Sequence, residues 1–288
     1  MSNCCIKSVF SLALFAVAAY AQTPREIVQR AVTADRNYAT RVRDFTYRQR
    51  QLERQYDGSG KVKQTSVKTW EISFLEGSPY RKLVARNDQR LSPAEQKFEE
   101  DRMQFTAEQR RKESRADHDK RVAEWQRRVE RQRLPEAEVP DAFNFTLAGT
   151  EVVDGAEAYV IDAVPKPGYK PKSSATSYLS KMKARFWIAR KDYQWLKMDA
   201  QALDTITFGA ILIRLAKGSS LQMEQGRVDD AVCLPTRFVV HASARVALFK
   251  VYHADLEYTL TDFHRSGQTV SLGTPAPLND TKAGQSDH

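Results

Sequence analysis

Cysteine is almost missing. Of three cysteines in 288 residues, Cys4 and Cys5 lie in the opening segment and only Cys233 remains further on, so no internal disulfide staples the chain. Stability must therefore come from a core, and the length is ample for one large domain. Cys233 sits in an apolar-patterned stretch and reads as a small core residue; a nucleophile would need a basic partner that the sequence does not place. Long hydrophobic runs are also lacking: after residue 21 nothing approaches the ~20 apolar residues of a membrane span. Gly-x-Ser-x-Gly, a phosphate loop, paired-cysteine metal motifs and His-Glu-x-x-His are all absent, which removes the usual enzyme signatures. Among the histidines, His241 and His253 fall on polar strand faces near Asp255 and Glu257. Exposed strand histidines are the commoner reading, and no metal site is expected. His118 belongs to a charged helix, and His264 and His288 to a strand end and the tail. Asn144-Phe145-Thr146 matches a glycosylation triplet, a pattern that arises by chance.

What is present begins with an export signal. Lys7 precedes an apolar run from Val9 to Ala19, and Ala19-Tyr20-Ala21 supplies the small-x-small site that places cleavage before Gln22. Neither Cys4 nor Cys5 stands at that point, so a lipid-modified N-terminus is not expected. The formal net charge is +9, and losing the signal removes only Lys7. Such a balance favours anionic partners. Export and the lack of an aromatic-basic motif argue against nucleic acid and leave an anionic membrane surface.

In the mature chain, Thr23-Pro24 opens a helix with Ile27, Val28, Ala31, Val32 and Tyr38 on one stripe. Phe45–Arg54 and 62–74 form a hairpin around Asp57-Gly58-Ser59-Gly60, and Glu76-Gly77-Ser78-Pro79 turns the chain into 80–85. Ser92-Pro93-Ala94-Glu95 is a capping box. From there to Arg133 charge dominates, glycine is absent, and Phe98, Phe105, Val122, Trp125 and Val129 make a thin apolar stripe. One or two helices are expected over 92–133, closed by Leu134-Pro135: a solvated insertion laced with ion pairs, or a docking arm.

Strands then follow at 158–164, 183–190, 195–202, 221–223, 238–244 and 252–260, most with one apolar and one polar face. Phe208–Leu215 is apolar on both faces, and residues 273–288 have the composition of a disordered tail. About nine strands at ~4.8 Å spacing make a sheet roughly 40 Å wide, which a first helix ~22 Å long and ~10 Å across cannot cover. The sheet must curl on itself. Whether its concavity stays open for a ligand or is filled by its own side chains, the pattern leaves undecided. Trp187 and Trp195 fall on the opposite parity from Phe186, Ile188, Leu196 and Met198, and read as convex-face packing or a partner contact.

Residues 149–263 resemble the LolA/LolB-like outer-membrane lipoprotein-sorting superfamily. The resemblance rests on Asp154-Gly155, Tyr159-Val160-Ile161-Asp162, Val164-Pro165-Lys166, Arg185-Phe186-Trp187-Ile188, Lys191-Asp192-Tyr193 and Trp195-Leu196-Lys197-Met198-Asp199. It implies a mainly β (α+β) protein of the periplasm: a curved antiparallel half-barrel with helices in its mouth. Residues 22–272 would form that domain, with the helical insertion at 92–133. Such proteins hold acyl chains of lipoproteins or other hydrophobic ligands, without a cofactor. The expected concave wall is Trp70, Ile72, Phe74, Phe186, Ile188, Leu196, Met198, Phe238, Val240, Leu256 and Tyr258. On that reading Phe186→Asp weakens probe binding without unfolding the protein. The alternatives are an envelope module that senses a lipid or peptide and contacts a protein partner through 92–133, and an enzyme without a standard motif.

Overall fold

The computed structural model describes residues 22–35, 41–208, 213–229, 232–246 and 250–265. The expected signal segment, the tail 273–288, Tyr38 and the middle of the Phe208–Leu215 run lie outside the described residues. In chain order the elements are α1 (Pro24–Ala34), β1 (Phe45–Tyr56), β2 (Val62–Leu75), β3 (Ser78–Arg86), β4 (Gln89–Arg90), α2 (Pro93–Arg111) and α3 (Arg115–Ala142). There follow β5 (Phe143–Val153), β6 (Ala156–Pro165), a 3-10 segment (Ser174–Lys181), β7 (Met182–Ala189), β8 (Trp195–Ala202), β9 (Ile206–Phe208), β10 (Ile213–Leu215), β11 (Ser220–Asp229), β12 (Val232–Val246) and β13 (Lys250–Arg265).

The strands join one antiparallel sheet in the order β4-β3-β2-β1-β13-β12-β11-β8-β7-β6-β5, with β9 and β10 attached beside β12. The sheet is open, ending at β4 and β5. Local chemistry explains most joints. Thr23 and Ser92 both make full capping boxes, with Glu26 and Glu95 reaching back to the cap, and proline follows each cap. The β2–β3 turn takes Glu76 and Gly77 at positive φ, and the β5–β6 turn takes Asp154 and Gly155 likewise. That is the two-residue geometry that matches strand twist. Gly77 has a second constraint: a Cβ there would stand 3.0 Å from Val122 Cγ2 of α3.

The charged block is two helices, and the second does not stop at Leu134-Pro135. It runs on through Pro135 and Pro140 to Ala142. Proline inside a helix removes a backbone bond and is costly, but here the last turns are packed. Glu138, Val139, Pro140 and Ala142 are buried, Glu138 accepts from Lys172 N at 3.1 Å and from the Tyr169 hydroxyl, and Asp141 pairs with Arg25 at 2.8 Å. Tertiary burial overrides the local stop signal. Strand β5, which the sequence reading does not assign, follows at once, its register broken by a bulge between Leu147 and Gly149.

Helix α2 lies along the outer edge of β3. Glu99 accepts from Leu83 N at 3.3 Å, and Arg110 donates to the carbonyls of Leu75 (2.9 Å) and Ser78 (3.0 Å). These side chains satisfy edge groups that would otherwise invite another strand. Helix α3 then crosses the concave face. Its Trp125 packs edge-to-face on Phe74 of β2 at 5.4 Å, and its end joins α1, β5, β6 and β7 in the main core. From Trp125 to Phe143 the helix rises only about 27 Å, whereas eight strand spacings from β2 to β5 span about 38 Å. The strap is shorter than the arc it bridges, so the sheet bows around it.

Candidate functional site

Cross-strand register decides which side chains share the concave face. Phe186 pairs with Ile161 and Met198, Met198 with Met223, Met223 with Phe238, and Phe238 with Tyr258. One row below, Ala200, Leu221, Val240 and Leu256 align in the same way. On the far side, Tyr47 pairs with Ile72, and Ile72 with Arg81. Trp70 and Phe74 share that face by alternation.

These residues do not share one environment. Phe186 and Ile188 are fully enclosed by Ile27, Val28 and Ala31 of α1, by Val139 of α3 and by Leu179 of the 3-10 segment, with Met198 packed half-buried at the margin. Ile72 is also buried, and Phe74 is covered by Trp125. Trp70, Phe238, Val240, Leu256 and Tyr258 are half-buried. Phe238 and Tyr258 stand 6.3 Å apart, ring to ring. The central strands therefore present half-buried apolar side chains on the concave face, here called the hollow, and the β5–β8 end carries a core.

Leu196 does not belong to either. Ile188 pairs with Trp195 but Trp187 pairs with Lys197, so Leu196 is the extra residue of a β-bulge. The bulge turns Leu196 to the convex side, where it packs with Ala158, Val160, Trp187 and Ala189. It also sends Trp195 to the concave side, 5.1 Å from the Phe186 ring. Trp187 is on the convex face as expected, roofed by Lys197 Nζ at 4.7 Å and donating from Nε1 to Glu151 at 2.8 Å. Simple alternation across Trp195-Leu196 fails because a bulge adds a residue without changing its type. The preceding turn also pins α1 onto the sheet, since Tyr193 accepts from Arg30 Nη1 and donates to Gln22 Oε1, both at 2.9 Å.

Residue types alone did not reveal three groups in the hollow. Leu221 and Met223 extend the apolar wall through β11. Strand β1 contributes a polar row, Gln49, Gln51, Glu53 and Gln55, facing Trp70, Lys68 and Tyr258; Gln55 Nε2 donates to Glu53 at 2.9 Å. Both faces of β1 are polar, so period-2 alternation gives no hint of which one turns inward. Arg81 lies over the Trp70 ring at 4.2 Å. Burial raises the phenol pKa values of Tyr258 and Tyr47, and the Arg81 charge opposes the rise in both, which places the guanidinium near each.

The convex face holds a separate polar cavity of about 680 Å³. His241 meets Asp255 at 2.7 Å, Ser243 meets His253 at 2.8 Å, and Tyr56 donates to Asp255. Burial would raise the Asp255 pKa, but the bonds from Tyr56 and His241 hold it below the usual carboxylate range. Among the described residues no group of three His, Cys, Asp or Glu side chains is arranged to hold a metal, and no helix is long and apolar enough to cross a membrane.

No protein-family model matches the chain, and no curated protein matches it significantly. Solved structures to which it is similar include a Vibrio parahaemolyticus domain described as an outer membrane lipoprotein-sorting protein, at 9% identity over 84% of this chain and 94% of that one, TM-score 0.34. A LolA superfamily protein from Nitrosomonas europaea is 12% identical over 85% and 94%, TM-score 0.28. The MucA/MucB complex of Pseudomonas aeruginosa gives 8% over 83% and 94%, TM-score 0.23. These likenesses are distant in sequence and in superposition, so the functional reading rests on this chain's own geometry.

Proposed function

We propose that the protein is an exported, periplasmic binding protein or carrier that takes the acyl chain of a lipid or lipoprotein into the hollow of its half-barrel, with no covalent chemistry. The observation that supports this reading is the half-buried apolar surface of Phe238, Val240, Leu256, Tyr258 and Trp70 on the concave face. An apolar hollow of this kind is a default binding surface. Each methylene moved into it from water contributes about 0.8 kcal/mol, so a single chain suffices for reversible binding. Native mass spectrometry of the mature protein from the exported fraction, followed by lipid extraction, tests it. A co-purifying acyl species is expected; a clean protein that also ignores added lipids would sink the reading.

A second reading, an envelope module that contacts a protein partner, is favoured by Phe98 and Phe105, which stand 64% and 62% exposed on α2. Deleting 92–133 would not test it, because α2 covers the β3 edge and α3 continues into the core. Replacing both phenylalanines with serine leaves those contacts intact. That variant should lose partner capture from envelope extract while retaining acyl binding; unchanged capture counts against the module.

A further inference from the structure

Several arginines on the convex side of the sheet have a carboxylate: Arg48 with Asp262 at 3.1 Å, Arg50 with Asp88 at 2.7 Å, Arg185 with Asp162 at 2.6 Å, and Arg237 with Glu257 at 2.9 Å. Arg81 is on the concave side, opposite Ile72 and stacked over Trp70. Among the described residues no carboxylate lies within 4.0 Å of its guanidinium. Glu53, the acidic side chain of the β1 row, is held instead by Gln55.

A guanidinium lying on an indole keeps its N–H edges free, and that planar fork matches a carboxylate with two parallel hydrogen bonds. The Trp70 ring beneath it both fixes the plane and keeps water from one side. From Trp70, the polar β1 row leads to Tyr258 and Leu256, then to Phe238 and Val240, Met223 and Leu221, and ends at Met198. That is five strand spacings, about 24 Å, the length class of an extended long acyl chain. One end of the hollow is thus cationic and hydrogen-bonding, and the rest is apolar.

We infer that the hollow is built for an acyl chain carrying a carboxylate, a long-chain fatty acid, with Arg81 over Trp70 as the headgroup clamp. This rests on the acyl-binding reading above and adds the headgroup to it. The overall positive charge of the chain, +9, would assist the approach of such an anion. The Gln49 and Gln51 amides, cross-strand neighbours of Trp70 and Lys68, supply further hydrogen-bonding groups beside the clamp.

The test compares palmitate, hexadecanol and palmitoyl lysophosphatidic acid as competitors of a fluorescent acyl probe on the full mature chain. Wild type, Arg81→Gln and Arg81→Lys are measured after their melting curves are shown to coincide. Arg81 is exposed, so both variants should fold. Palmitate should bind wild type about tenfold more tightly than hexadecanol, as a charge-assisted pair implies. Arg81→Gln should abolish that preference while leaving hexadecanol unchanged, and Arg81→Lys should restore part of it. An equal palmitate affinity in wild type and Arg81→Gln would overturn the clamp while leaving acyl binding in place. A lysophosphatidic acid preference over palmitate that vanishes in Arg81→Gln would overturn the carboxylate assignment. If none of the three competes with wild type, the acyl reading fails together with the clamp.

Discussion

The concave face of the sheet carries apolar alternation at both ends of its path, yet α1 fills one end and α3 merely bridges the other. Between β5 and β8, α1 is clamped by Tyr193, and with the final turns of α3 it presses Ile27, Val28, Ala31 and Val139 onto Phe186, Ile188 and Ile161, which are buried. Between β11 and β2 the helix contact is that of Trp125 on Phe74, and Phe238, Val240, Leu256 and Tyr258 remain half-buried. Identical strand chemistry thus becomes core or hollow according to what lies above it. The difference is set by helices remote in sequence, with the amphipathic α1 at one end and an arginine-rich strap at the other.

Placing the same charge in each half puts this difference at greatest risk. Phe186→Asp puts a carboxylate where the wild-type ring is 3% exposed, so it should unfold the protein or cost about 4 kcal/mol or more. Weaker binding by a folded variant, the expectation from sequence, is not what the burial supports. Val240→Asp, on the hollow, should leave the thermal midpoint nearly in place and reduce acyl-probe affinity by about tenfold or more. Melting curves and probe titrations on the two variants decide the matter. Equal destabilisation by both would mean that the central strands are packed as tightly as the end, and the hollow would be lost.

Much of this was legible in the residues. The N-cap at Thr23, the capping box at Ser92, the turns at Glu76-Gly77 and Asp154-Gly155, and the inward parity of Trp70, Phe186, Phe238 and Tyr258 follow from local chemistry and a period of two. What was not legible depended on single insertions or distant partners. The bulge at Leu196 reverses its side and that of Trp195 without a glycine to announce it. The helix past Pro135 survives because Glu138, Val139 and Ala142 are buried by other elements. Strand β1 shows its inward face only when Gln51 is seen paired with Tyr258. Whether a wall residue touches ligand or core is likewise a property of the roof, and alternation is silent about the roof.

A smaller effect concerns how the filled half is latched to the strap. Arg133 of α3 pairs with Asp35 at the end of α1 at 2.7 Å and with Glu136 at 3.2 Å, and Arg41 approaches Asp35 at 3.5 Å. Burial, then the Asp35 charge, raises the Glu136 pKa from 4.5 to about 6, against the pull of Arg133; burial raises Asp35 as well, against Arg133 and Arg41. A carboxyl whose folded pKa lies above its unfolded one favours the folded state while protonated. That contribution is complete below about pH 4.5 and is lost as pH rises through about 6. Glu136→Gln should therefore be the more stable protein at pH 7, by about 1 kcal/mol once partial exposure is allowed for. It should also lose the share of the pH slope between 4.5 and 6 that Glu136 supplies. Thermal midpoints of wild type and variant at pH 4.5, 6 and 7.5 (about 5 °C per kcal/mol in a small domain, less in this larger one) give the answer. Parallel curves would show that Glu136 is too well solvated by the strap's outer face to act as a latch. The strap and α1 would then be joined by the Arg133–Asp35 and Arg25–Asp141 pairs and by the apolar contacts of Val139 and Ala142, without a contribution from Glu136.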